Sequence, residues 1–184
     1  MPDSQCLVPS PSVPRCPDAL VPSLTLTIPG VPRSRPRARH GARLVNGKAV
    51  SMTYHPKPKR GGTDPASRAW ARANAWYDAV QVAFWQNRPG DAPWDGPVHL
   101  EAEIYLPRPQ KYCRKKDYPG PIWAHTAPED RDNLEKSITD ALKTAGAYRD
   151  DRQVVAGEVR KMYHAIGANP GVVVRMRKLV GEPD

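Results

Sequence analysis

The sequence predicts one α+β domain, a mixed β-sheet packed by two main helices. Three observations carry that expectation. Two segments repeat apolar residues at helical spacing, Ala66 to Phe84 and Leu134 to Ala145. Around them lie segments that alternate apolar with polar residues, as half-buried strands do. Finally, 184 residues are enough for a single core, and strands blocked around separate helices favour α+β over a strictly alternating plan.

Residues 1–22 hold six Pro and several Ser without apolar period, and are expected to be a disordered tail. The domain is expected over 23–180, with 181–184 as a C-terminal tail. "LTLTI", Leu24 to Ile28, reads as the first strand. "ARLVNGKAVSMTY" places Asn46-Gly47 between two short apolar stretches, a hairpin signal. Asp64-Pro65 opens the first helix as N-cap and first-turn Pro, and the helix stops before Pro89-Gly90. Its expected apolar stripe is Ala66, Ala69, Trp70, Ala73, Tyr77, Val80 and Phe84. "PVHLEAEIYLP" is the cleanest strand, with Val98, Leu100, Ala102, Ile104 and Leu106 on one face. Residues 108–127 read as a long basic loop. The second helix is expected from Asp132 to Ala145, ending at Gly146. Two strands follow, Gly157 to Ala165 and Gly171 to Leu179.

The chain is basic, with formal net charge +9 and pI about 9.7. From Val31 to Arg60 there are nine Lys or Arg and no Asp or Glu. Arg33, Arg35, Arg37, Arg39, Lys57, Lys59 and Arg60 are candidate DNA contacts there. Lys111, Arg114, Lys115 and Lys116 are candidates in "RPQKYCRKKDY". Such runs suit a polyanion, because each neutralised phosphate releases condensed counterions. No apolar run is long enough to span a membrane. Cys6, Cys16 and Cys113 form no C-x-x-C pair, so neither a disulfide framework nor a zinc site is indicated, and a cytoplasmic setting fits.

Against this background "PEDRDNLEKSITDALKTAGAYRDDRQVV" is anomalous: five Asp and two Glu lie within residues 128–155. Leu134, Ile138, Ala141, Leu142 and Ala145 make one helical stripe, while Asp132, Lys136, Asp140 and Lys143 fall opposite. Singly, each acid has an ordinary explanation: a helix cap, an Asp132–Lys136 ion pair, a polar turn. Together, two acids at the helix start and a second pair after it exceed what capping needs. Clustered carboxylates repel unless a cation neutralises them, and an all-oxygen ligand set suits Mg²⁺, which also takes phosphate oxygens.

These residues resemble a known signature. The order D-x-D-N-L-x-K from Asp130, then D-A-L-x-x-A-G, then D-D-x-Q-V is similar to that of the RusA family of Holliday junction resolvases, common in bacteria and their phages. Asp151 falls 19 positions after Asp132 (151 − 132), as in the family. "IPGVP", an R-P-R loop and "Y-H-P-K" agree, and the resemblance covers Leu24 to Leu179. It implies a RusA-like fold and a homodimeric endonuclease, dependent on Mg²⁺ or Mn²⁺, that nicks four-way DNA junctions symmetrically in recombination and repair. By motif position it implies that Asp130, Asp132 and Asp151 bind the metal, that Lys136 is catalytic, and that Asn133 and Asp150 support them. The expected compartment is the cytoplasm of a bacterium or of a phage-infected host. Members often read P-D-x-D-N. Here Glu129 intervenes between Pro128 and Asp130, so the loop entering the site is expected to differ. Two other readings are a non-catalytic DNA-binding regulator and the same chemistry on flaps or forks.

Overall fold

The computed structural model describes residues 23–34, 39–54, 62–114 and 117–179, with side chains outside 39–41 and 52–54. The expected tails, 1–22 and 181–184, lie outside the described residues. Five strands form one mixed sheet in the order β1-β7-β4-β6-β5. They are β1 (Ser23–Pro29), β4 (Val98–Leu106), β5 (Ile122–Trp123), β6 (Val154–Tyr163) and β7 (Gly171–Lys178). Strand β4 runs parallel to β6 and antiparallel to β7. Parallel neighbours need a crossover; here it contains helix α2 (Arg131–Ala145). Helix α1 (Pro65–Gln86) packs on α2 and β1, so both helices lie on one face of the sheet. The remaining strands, β2 (Arg39–Val45) and β3 (Lys48–Tyr54), pair only with each other.

The sequence pattern explains most of this. Strands β1 and β4 alternate strictly between buried and less buried positions. Asp64 caps α1, its Oδ1 accepting from the backbone N–H of Ala66 and Ser67 at 3.0 Å each. Gly146, at φ 84°, ends α2 in the left-handed conformation that Gly adopts without strain. Leu134, Ile138 and Leu142 are fully buried on α2. Each such burial contributes about 1.5–3 kcal/mol, against about 0.2–1 for an exposed ion pair. Burial therefore fixes α2, and its charged face is left for other work.

Three details depart from expectation, the first being that residues 108–127, expected as a loop, contain a 3-10 turn at Gln110–Tyr112 and strand β5. The stripe on α1 is displaced: Ala66 and Ala69 are exposed, whereas Trp76 and Ala83 are buried. The helix touches α2 and β1 at once, so its covered sector is wider than one stripe and begins a turn later. Strand β6 begins at Val154, not Gly157. Gly157 sits inside it at φ 149°, where an added Cβ would lie 1.7 Å from the Leu100 carbonyl oxygen. This Gly marks a close approach of two strands rather than a boundary.

Candidate active site

Helix α2 carries both ends of the acidic stretch. At its start, Asp130 occupies the N-cap position, yet its side chain makes no capping bond. Instead the Asp130 Oδ2 accepts from the Asn133 amide at 3.2 Å. Asp132 lies in the first turn, its side chain 83% exposed, with the Arg131 guanidinium 3.9 Å away. Lys136 is exposed one turn later and, among the described residues, makes no ion pair with Asp132. Two carboxylates and an ammonium therefore face solvent at the positive end of the helix dipole, which favours anions.

The residue before Asp130 is tied down from three sides. The Arg33 guanidinium lies 3.4 Å from Glu129 Oε1, the Ser34 hydroxyl donates to Oε2, and Lys161 Nζ donates to the Glu129 carbonyl at 2.9 Å. Glu129 thus joins the segment after β1 to the start of α2. Beside this link is a cleft of about 370 Å³, lined mainly by Val31, Pro32, Leu106, Pro107, Pro109 and Tyr163.

At the other end of α2 the acids have partners. Lys143 Nζ lies 3.1 Å from Asp150 Oδ2 and 3.2 Å from Asp151 Oδ1. The Asp150 Oδ1 accepts from the Arg152 backbone N–H at 3.0 Å. That backbone bond first, and Lys143 second, hold the Asp150 carboxyl down at about 2. The same two acids raise the Lys143 ammonium. Gln153 completes a capping box with Asp150 and donates from its amide to the Trp94 and Gly96 carbonyls at 2.9 and 2.8 Å. Asp150 and Gln153 therefore lock the turn into β6, which gives two letters of D-D-x-Q a structural reason. Neither Lys143 nor Gln153 is among the residues expected from sequence to build the site. A Lys in the last helical turn and a D-x-x-Q capping box were the signals available.

Asp151 does not meet Asp130 and Asp132 within this chain. Asp132 and Lys143 are 11 positions apart on α2 (143 − 132), about 16 Å along the axis. Strand β6 gives a second ruler. Its first residue, Val154, adjoins the Asp151 turn, and Lys161 bonds Glu129 seven positions on (161 − 154), about 23 Å of strand. Ligands of one Mg²⁺ sit about 2 Å from the ion. Accordingly, no group of three His, Cys, Asp or Glu among the described residues could hold a metal. Asp130 and Asp132 alone still fit the hard-cation pattern of one or two carboxylates completed by water and phosphate.

Of the basic candidates, Arg33 is engaged by Glu129, and Lys111 lies 4.8 Å from the centre of the Tyr112 ring. The Arg114 backbone N–H donates to Asp117 Oδ2 at 2.7 Å. Arg35, Arg37, Lys57, Lys59, Arg60, Lys115 and Lys116 lie outside the described residues, as does the side chain of Arg39. Arg108, the first cation of the second run, is buried. Its guanidinium donates to the Tyr118 and Gly120 carbonyls at 2.7 and 2.8 Å, so it serves the loop rather than a ligand. Among the described residues no helix is long and apolar enough to cross a membrane.

No curated protein matches the chain. The model of the family described as Endodeoxyribonuclease RusA matches residues 28–177, from the end of β1 through all but the last residue of β7 and across both ends of α2. The chain therefore belongs to the RusA family of endodeoxyribonucleases.

Proposed function

We propose that this endodeoxyribonuclease resolves four-way DNA junctions by paired, symmetric nicks, using Mg²⁺ or Mn²⁺, in recombination and repair within a bacterial or phage-infected cell. The observation that carries the reading is the exposed, poorly neutralised pair Asp130 and Asp132 at the start of α2, with Lys136 one turn on. Asp130 and Asp132 would hold the metal, and Asn133 orients Asp130 through the amide contact at 3.2 Å. A metal there would supply charge neutralisation at the scissile phosphate and a more acidic water. Lys136 stabilises negative charge on the phosphorane or leaving oxygen.

Asp151 joins this site from a second copy. Within one chain it lies a helix-length away, so a two-fold dimer that lays two α2 helices antiparallel would set Asp151 of one protomer beside Asp130 and Asp132 of the other. Such a dimer contains two equivalent sites, which paired nicks require. Lys143 holds Asp151 in the single chain and would yield it to the metal on assembly.

The test has two parts. Four-way junctions, flaps, forks and linear duplex are incubated with the protein in Mg²⁺ and in EDTA. Junction cleavage confined to Mg²⁺ is expected, and faster flap or fork cleavage would reassign the substrate. Then Asp132→Asn and Asp151→Asn proteins, each inactive, are mixed. Half the dimers would be mixed, each with one intact site, so about a quarter of wild-type activity should return. No recovery after verified subunit exchange would place each site within one chain.

A further inference from the structure

Residues 42–51 of the β2–β3 hairpin hold three large apolar side chains that nothing in the described structure covers. Residues 42–51 are exposed on both faces, with Leu44 at 73%, Val45 at 46% and Val50 at 44%. Its turn is fully specified: Asn46 and Gly47 take φ 52° and 74°, the pair of positive angles of a type I′ turn. A two-stranded ribbon is marginal in water by itself, so the exposed Leu and Val are unspent.

The register states what each face offers. Residues directly opposite share a face, so Arg43 with Val50 and Val45 with Lys48 form one patch of four. In it two cations lie on one diagonal and two Val on the other. The reverse face is thin, with Leu44 standing beside Ala42, Ala49 and Ser51. A second copy of this hairpin would bring the same cations against it, with no acid from Val31 to Arg60 to offset them. A partner that is negative yet has apolar faces fits both diagonals. DNA whose bases are unstacked at a branch is such a partner, and a ribbon of two strands has the width of a major groove.

We propose that the hairpin is a DNA-inserting arm. Arg43 and Lys48 grip phosphates while Leu44, Val45 and Val50 pack on the base faces opened at the branch. The proposal rests on the junction reading above and adds where the branch is sensed.

The experiment uses full-length protein carrying Leu44→Thr, Val45→Thr and Val50→Thr. Thr keeps strand propensity and shape, and these side chains are exposed, so the domain core is unaffected. The DNA is a four-way junction with 2-aminopurine beside the branch, titrated in EDTA, with linear duplex alongside. Wild-type protein should raise the fluorescence as bases unstack. The variant should lose that rise and bind the junction about tenfold or more weakly. Its dependence on salt should stay as in the wild type, because Arg43 and Lys48 remain. A variant that keeps both the rise and the junction preference overturns the arm alone. A variant that sediments as a monomer where the wild type is a dimer makes the hairpin a subunit contact and also overturns it. Wild-type protein that binds junction and duplex equally removes the junction reading and the arm with it.

Discussion

The two ends of helix α2 hold the same chemistry in opposite states. Each has a pair of Asp and a nearby Lys. At the C-terminal end Lys143 reaches both carboxylates, within 3.1 and 3.2 Å, and backbone N–H groups complete Asp150. At the N-terminal end, among the described residues, the Asp132 side chain has only Arg131 at 3.9 Å, and that of Asp130 only the neutral Asn133 amide. The difference teaches which acids have a use for an external cation. Asp150, which Lys143 and a backbone N–H already satisfy, gains little from a metal, whereas Asp151 would serve one only after leaving Lys143. A carboxylate that repels its neighbour gains much.

The largest effect should come from the poorly neutralised end. Asp132→Asn should reduce cleavage to background while leaving junction binding in EDTA equal or tighter. Asn keeps the size and can still serve a helix start, but it loses the charge that on this proposal holds metal and repels phosphate. Gel-shift titration in EDTA beside a nicking assay in Mg²⁺ measures both. Wild-type nicking would erase the contrast between the two ends. Next, Lys136→Ala should lower turnover about 10²–10³-fold, the range for losing one charge-stabilising donor. Because Lys136 is exposed, its melting temperature should stay near that of the wild type. A large drop in melting temperature would turn Lys136 into a structural residue.

The smallest effect belongs to Asp150 at the clamped end. Asp150 titrates at about 2 in the fold and about 3.9 in an unfolded chain. Its depressed value favours the fold above that range, and the contribution is lost as pH falls from about 3.9 through about 2. Lys143→Met should raise the Asp150 value only part of the way, because the Arg152 N–H is the larger cause. A carboxyl NMR titration reads this directly. A full return to about 3.9 would make Lys143 the main support and sharpen the asymmetry.

The core-facing parts of the fold were legible where one covered face imposed a clean period. Strand β4 and the stripe of α2 are buried residue for residue as the pattern predicts. Helix α1 was less legible, because two neighbours cover it and a single stripe cannot represent that. Strand β5 has two residues and no period to detect. For the candidate site, the D-x-D stood out as charge out of place in a basic chain, whereas the role of Lys136 came only from the family resemblance. Sequence spacing alone could not reveal that α2 separates Asp151 from the other acids. A separation of 19 positions says nothing about distance until a helix of known length is laid through it. Glu129 drew notice only as a departure from the resembled motif, and its ties to Arg33, Ser34 and Lys161 need distant segments brought together.

Arg108 changes how the heat of DNA binding should be read. One guanidinium, donating to the Tyr118 and Gly120 carbonyls, joins the two ends of the 108–120 segment inside the folded protein. The entropy of bringing those ends together is therefore met during folding and not at the moment of association. Lys111 and Arg114, carried on that segment, would meet phosphate without folding to do so. For this segment the heat-capacity change of binding should track contact area alone, without the larger negative value that accompanies coupled folding.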